Sequence, residues 1–482
     1  MFISFYLLFF HSIFCDNNGD KLIFTMIHFR HGARASTLEG NNIDFMKEYW
    51  AHPGELTSVG ERMHYILGLR NRNRYINNNK LLSKKYDSSE LKVISTGYSR
   101  TIVSALSHLQ GLYPPNQNLG EKLNDAQKSN STPPINIDNI DNDLKNEIDK
   151  LNSDALPHSM TLVPIEIKNS SSFVTFFARN KCLGAQKKYN TSNNENMNLI
   201  EKYFNDYFGK YMNNFLFHNE SYGHIYTFTQ IAKLCDTYVA CYTDGRNMSE
   251  FRDTGINSDQ MYDLYKLCLY SIKTYFSEYA MREDDIFYLE GSEIMELLIS
   301  NIKRSIEADI NNKTDSSYPK MLIYSGHDIT VSKQIFFLLK AFDLNFSLYE
   351  LPTYATQIAF EVTRQNDNKK ENRSYSDYIV SYYFKDELQL NVTSDEFINK
   401  IEDHIWSNEK IDSFCEYGTS NKLRNDIPKK EVTNYKTPFL IFACLFSASM
   451  VANLVFLGII FMKSNVKKTH MKTSSFAEIK NS

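Results

Sequence analysis

The sequence has no C-x-x-C pair, no internal repeat and no long basic patch before its C-terminal tail. The first absence leaves zinc ribbons and thioredoxin-like chemistry without support. The last, with a formal net charge of −4 over 482 residues, argues against a nucleic-acid binder driven by bulk electrostatics. The length suits one large or two ordinary domains plus appendages.

Charge is also missing from two apolar ends. Met1 to Cys15 carries no charged residue. It is too short to span a bilayer and reads as the core of a secretory signal over 1–18, though without the usual basic residue near Met1. Phe439 to Met462 is likewise uncharged. At about 1.5 Å per residue it reaches roughly 36 Å, more than the ~30 Å hydrocarbon core. Lys463, Lys467, Lys468 and Lys472 follow it, which puts the tail 463–482 on the cytoplasmic side. The expectation is a single-pass protein with a polar, basic stalk (416–438), a transmembrane helix (439–462) and its folded part outside the cytosol. The long apolar segment and basic tail disfavour a lipid-anchor signal. Nine N-x-S/T sequons, at Asn130, Asn169, Asn190, Asn219, Asn247, Asn312, Asn345, Asn372 and Asn391, all precede the anchor, as a lumenal segment requires. The chain is asparagine-rich, so they are supporting signals only. Of seven cysteines, Cys15 falls in the signal and Cys444 in the anchor. The five others face an oxidising compartment and cannot all pair internally.

What is there centres on Leu22 to Ser36. Leu22 to Ile27 is an apolar run with one threonine and reads as a buried strand. It empties into Arg30-His31-Gly32-Ala33-Arg34. Arginine offers a planar fork of donors that matches phosphate oxygens, and Gly32 permits close approach of backbone to an anion. In open α/β sheets ligands sit beyond the carboxyl ends of strands. A lone R-H-G triplet is weak, because surface Arg and His are common. Two further strand ends carry matching chemistry. Leu91 to Ile94 leads into Ser95-Thr96-Gly97-Tyr98-Ser99-Arg100, and Met321 to Tyr324 leads into Ser325-Gly326-His327-Asp328.

Arg30-His31-Gly32-x-Arg34, Ser95-Thr96-x-x-x-Arg100 and His327-Asp328 together resemble the histidine acid phosphatases, branch 2 of the histidine phosphatase superfamily. Gly54-Glu55-Leu56-Thr57-Ser58-Val59-Gly60 resembles the family segment that opens a helix. The likeness runs from about Leu22 to about Cys415, with a loose middle third. Two positions depart from it: Ser36 stands where the family has proline, and Gly97 where it has an acid. The resemblance implies His31 as nucleophile, forming a phosphohistidine, and Asp328 as proton donor to the leaving alcohol. Arg30, Arg34, Arg100 and His327 would bind phosphate, with no metal or other cofactor. It also implies a Cys182–Cys415 bridge. Cys235, Cys241 and Cys268 then supply at most one more pair.

The expected fold is α/β: a mostly parallel central sheet with helices on both faces, formed by 19–170 and 285–415. A helical domain over 171–284 would cover the site and help choose the leaving group. Its tyrosines and phenylalanines read more readily as core than as pocket lining. A polar stretch at 115–150 reads as a surface insertion or mobile loop. A helix is expected near Thr57 to Arg74, with Ser58 and Glu61 at capping-box spacing. Further expectations are a helix over Thr101 to Leu112, a strand over Met160 to Ile167, a helix over Ser292 to Asp309, and closing strands at Gln357 to Thr363 and Tyr378 to Phe384. His64 reads as packed or surface, not catalytic. Zinc binding by His28 and His31 is disfavoured, because on a strand they point to opposite faces.

The functional expectation is a phosphate-monoester hydrolase of a lysosome, acidic vacuole or cell surface, anchored in the membrane, as monomer or homodimer, with no nucleic-acid partner. Within enzymes the rival is a specialist for inositol phosphates or a lysophosphatidate. Outside them it is a non-catalytic surface receptor on the same fold, which would be expected to have lost His31, Arg34 or His327.

Overall fold

The computed structural model describes residues 19–37, 52–117, 119–131, 133, 142–168, 182, 195–209, 225–245, 256–281, 284–311, 318–344, 350–365 and 373–415. The expected signal, stalk, transmembrane helix and tail lie outside these residues. No helix among the described residues is long and apolar enough to cross a membrane.

The apolar run after Asp20 forms β1 (Lys21–Arg30), which is longer than Leu22 to Ile27 because its pairing continues to the arginine. The other strands are β2 (Leu91–Thr96), β3 (Glu166–Lys168), β4 (Met321–Gly326), β5 (Gln357–Arg364), β6 (Tyr378–Phe384) and β7 (Glu387–Thr393). They make one seven-stranded sheet in the order β3-β2-β4-β1-β5-β6-β7. The β3-β2-β4-β1 half is parallel, and β5, β6 and β7 join antiparallel. The sheet is therefore mixed, and not mostly parallel as expected. Strand β5 runs against β1 and β6, and Lys385 and Asp386 link β6 to β7 in a short hairpin, which can only pair antiparallel strands. The expected Met160–Ile167 strand is reduced to three residues, preceded by a short helical turn at Pro157–Ser159.

Side chains alternate between two apolar layers. Phe24 and Met26 of β1 join Leu322, Tyr324, Ile358 and Phe360 on one face. Ile27 and Phe29 join Val93, Ile323 and Ala359 on the other. A register shift between Leu22 and Phe24 flips the parity, so Leu22 packs with Ile27 instead of Phe24. Helices α1 (Ser58–Arg72) and α2 (Ser99–Leu112) lie on the Ile27 side. Thr57, not Ser58, caps α1, accepting from the Gly60 N–H at 3.4 Å. The described part of the 115–150 stretch contains α3 (Asp125–Asn130) and α4 (Asn142–Lys150). A third apolar cluster is built by α5 (Glu195–Tyr207), α6 (Phe228–Thr243) and α7 (Ser258–Met281) around Phe204, Ile231, Tyr238 and Leu264. The Phe24 side is covered by α8 (Asp284–Ile310) and α9 (Asp328–Ala341), with α10 (Ser394–Glu402) alongside. Helix α11 (Asn408–Cys415) follows.

Cys182 is disulfide-bonded to Cys415, and Cys235 to Cys268, which staples α6 to α7. Cys241 is buried and outside both bridges.

One charged network sits inside the Ile27 layer. Glu361 of β5 accepts from Arg74 Nε at 2.6 Å and Nη2 at 2.8 Å, and from the Tyr75 hydroxyl at 2.8 Å. A buried pair stripped of one partner leaves an uncompensated charge. Glu361→Ala should therefore cost about 3–5 kcal/mol, whereas the double change Arg74→Met/Glu361→Leu should recover most of that loss. Urea unfolding of the three proteins reads both values, and equal stability of Glu361→Ala and the parent would refute the assignment.

Candidate active site

The site begins with β1 and β4, which pair so that Arg30 stands opposite Gly326. Strand β2 pairs β4 with Ser95 opposite Ser325. Three chain segments therefore leave the sheet at one level, carrying Arg30, His31 and Arg34, then Arg100, and then His327 and Asp328. The structure brings these six together.

The His31 ring lies 5.5 Å from that of His327, edge to face. Its Nδ1 is 2.9 Å from the Gly32 carbonyl oxygen. A carbonyl can only accept, so Nδ1 carries the proton and Nε2 keeps its lone pair. Burial lowers the His31 pKa well below the ordinary value, and the charges of Arg30, Arg34 and Arg100 push in the same direction, as would protonation of His327. The result is an uncharged imidazole surrounded by cations.

Each arginine is fixed by its own partners. Arg30 Nη2 pairs with Asp328 Oδ2 at 2.7 Å, and Nη1 donates to the Pro352 carbonyl at 2.8 Å. Arg34 Nη2 pairs with Asp236 Oδ1 at 2.7 Å, and Nη1 donates to the Ala35 carbonyl at 3.0 Å. The Arg100 guanidinium lies 4.6 Å from the Tyr98 ring centre, near the start of α2. The Nε atoms of Arg30, Arg34 and Arg100 are all buried with no partner among the described residues. Buried donors are normally satisfied, so these three are groups that an anion beside the imidazole could satisfy. Burial lowers the Arg100 pKa, as does the neighbouring Arg34 charge.

His327 Nε2 and Thr96 Oγ1 are 3.0 Å apart. Burial, then Arg100, Arg30 and Arg34, lower its pKa well below the ordinary value. Asp328 opens α9, and its Oδ1 accepts from the Ile329 N–H at 2.8 Å. His28 points to the opposite face, toward Gln334 at 2.5 Å and Thr330 at 3.1 Å. His64 is fully buried, with Nε2 3.1 Å from the Arg30 carbonyl.

Gly32 also serves the packing of the loop. A Cβ there would lie 2.5 Å from the Gly60 carbonyl oxygen. The glycine lets the motif loop press against the start of α1, and that contact requires it. Of the two departures, Ser36 is buried and its hydroxyl lies 2.7 Å from Thr237 Oγ1 on α6. Gly97 faces β3: a Cβ there would sit 3.6 Å from the Lys168 carbonyl oxygen.

Two residues at the site escaped the sequence reading. Asp236 of α6 holds Arg34 and accepts from Thr37 Oγ1 at 3.1 Å. Burial alone would raise its pKa, but Arg34, Arg30 and Thr37 hold it below the usual carboxylate range. Tyr354 lies under Arg30, 4.4 Å from guanidinium to ring centre. Asp236 sits among the Tyr and Cys of an ordinary helical pattern, and Tyr354 in an unpatterned loop, so nothing local marked either one.

This geometry defines an α/β protein whose parallel strand ends hold a neutral histidine inside a ring of cationic donors. The chain belongs to the histidine phosphatase superfamily (branch 2), whose sequence model matches residues 21–384. It is 40% identical over 97 residues to lysosomal acid phosphatase of Xenopus laevis, covering 20% of this chain and 22% of that protein. It is 35% identical over 97 residues to the human lysosomal enzyme, covering 20% and 22%. It is 35% identical over 96 residues to prostatic acid phosphatase of Bos taurus, covering 20% and 24%. The chain thus spans about a quarter of the length of the curated relatives it matches. A phytase structure from Citrobacter braakii aligns with a TM-score of 0.49 at 14% identity, covering 80% of this chain and 98% of that one.

The tautomer is measurable. In a ¹⁵N-histidine correlation spectrum, the His31 ring should show the neutral Nδ1–H form at pH 5, where a free histidine is charged, because its lowered pKa keeps the proton off Nε2. A doubly protonated His31 at pH 5 would contradict the geometry.

Proposed function

We propose that this protein is an acid phosphatase that hydrolyses phosphate monoesters through a phosphohistidine. The observation that supports the reading is a His31 whose Nδ1 bonds the Gly32 carbonyl, leaving Nε2 its lone pair, close to three arginines whose Nε donors have no partner among the described residues. A phosphate monoester resists attack because its oxygens repel a nucleophile. Fixed cations offset that repulsion and stabilise charge on the equatorial oxygens. Arg30, Arg34, Arg100 and His327 would hold those oxygens. His31 Nε2 forms a bond to phosphorus as the ester P–O bond breaks. The departing alkoxide takes a proton from Asp328, and water then cleaves the phosphohistidine.

Both Asp328 oxygens accept hydrogen bonds, one of them from Arg30. A phosphate that engages Arg30 competes for the same guanidinium and loosens the carboxyl for proton transfer. An acidic medium would supply that proton while His31, with its lowered pKa, stays neutral and nucleophilic. A signal peptide, a transmembrane helix over 439–462 and a lysosomal or extracellular setting accord with this chemistry, as do helices of 171–284 covering the site.

The test is release of phosphate from a chromogenic ester near pH 5, unaffected by a chelator, by the purified protein. His31→Ala should lower turnover by roughly a thousandfold or more. Asp328→Asn should slow alkyl esters by about 10²–10⁴-fold and activated aryl esters much less, because a good leaving group needs little proton donation. A panel including inositol phosphates and a lysophosphatidate ranks the substrates. No turnover of any ester by the parent protein would leave the reading without support.

A further inference from the structure

The loop between α9 and β5 wraps the first two residues of the motif. The Arg30 N–H donates to the Thr356 carbonyl at 2.9 Å, and the Ala355 N–H donates to the His31 carbonyl at 3.1 Å. Arg30 Nη1 reaches the Pro352 carbonyl of the same loop. At its centre Ala355 has φ +57°, a left-handed conformation that costs a non-glycine residue about 1 kcal/mol or more and persists only where the surroundings enforce it. This turn delivers Tyr354 into the site. Its ring centre lies 4.4 Å from the Arg30 guanidinium, 6.0 Å from that of Arg34 and 5.8 Å from the His31 ring. On its other side it packs against the apolar cluster of α5, α6 and α7. Its hydroxyl is buried and has no hydrogen-bond partner among the described residues.

We infer that Tyr354 is a positioning residue for phosphate binding: its ring face holds the Arg30 guanidinium, and more weakly that of Arg34, in the plane from which their open Nε donors meet the anion. The negative face of an aromatic ring attracts a cation, most strongly where water is excluded, and it does so without occupying an N–H. That distinguishes it from Asp328, Asp236 and the two carbonyls, each of which consumes a donor. The ring restrains the guanidinium while leaving its third edge open to the anion. The hydroxyl is not needed for this, since it bonds to no group among the described residues.

The inference rests on the phosphatase reading for its biological meaning, but it can be tested by binding alone. Inorganic phosphate is titrated calorimetrically into the purified full chain carrying Tyr354→Phe, Tyr354→Leu, or phenylalanines of increasing fluorination at this position. Tyr354→Phe should bind phosphate within about twofold of the parent, because it keeps the ring and loses an unpartnered group. Tyr354→Leu should bind about tenfold more weakly, the size expected of a desolvated cation–ring contact. The fluorinated series keeps the shape while draining the ring face of negative charge, so affinity should fall stepwise with each fluorine even if the leucine variant fails to fold. In turnover the loss should fall mainly on KM. A flat fluorination series overturns the inference, and so does Tyr354→Phe binding as weakly as Tyr354→Leu. A parent that binds phosphate but hydrolyses no ester would sink the proposed function and leave the Tyr354 result standing.

Discussion

Everything at the site depends on register between three parallel strands. Phe29 of β1 stands opposite Ser325 of β4, which stands opposite Ser95 of β2. Because all three strands reach the same rung before they stop, their following loops rise from one edge of the sheet. A slip of one residue in β1 would exchange its two faces. Phe24 and Met26 would leave their layer, and Arg30 would turn away from Asp328. The apolar alternation along β1 and the position of the arginine are therefore one constraint. Packing that stabilises the strand also aims the motif.

The second constraint is electrostatic. Arg30, Arg34, His31 and His327 are buried and Arg100 half-buried beside them, and like charges brought that close repel strongly in a medium of low dielectric. The structure offsets this in two ways. The imidazoles stay neutral, since burial and the arginines both disfavour their protonation. Two of the three arginines carry a carboxylate each, Asp328 for Arg30 and Asp236 for Arg34. Among the described residues no ion pair holds Arg100, which lies against the Tyr98 ring near the start of α2 and feels Asp328 and Asp236 only at longer range, so its charge is the least compensated of the three. If the site binds an anion as proposed, Arg100 has the most charge left to offer it, and the carboxylate-paired Arg30 and Arg34 fix its geometry.

Much of the site was legible in the sequence because it is local. An apolar run followed at once by Arg, His and Asp encodes both the strand and what its end presents. His31, Arg34, Arg100, His327 and Asp328 all fall within a few residues of such runs. What was not legible depends on chain segments far apart. Asp236 reaches Arg34 across 202 positions, and only the packing of α6 against the motif loop selects it from the other acids of the helical region. Tyr354 sits in a loop whose conformation is set by hydrogen bonds to Arg30 and His31. The antiparallel half of the sheet was visible as two apolar strands, but their direction is set by pairing with β1 and by β7, segments the local pattern does not specify. The cap of α1 was misplaced by one residue because Thr57 and Ser58 offer the same hydroxyl and only the backbone path decides between them.

The two departures from the family pattern show how local and distant restraint trade places. A proline after the second motif arginine would restrict the backbone by fixing φ. Ser36 lacks that rigidity, yet its buried hydroxyl meets Thr237 on α6, next in sequence to the Asp236 that holds Arg34. Adjacent residues of one helix therefore fasten both ends of the Arg34–Thr37 loop, with Thr37 adding a third tie to Asp236. Gly97 has gained no such substitute. The space a side chain would enter faces the Lys168 carbonyl on β3, away from the cluster that surrounds His31. The first loss is made good by a contact between distant segments. The second falls on the edge of the sheet, where Arg100 is already held by the turn into α2 and by the ring of Tyr98.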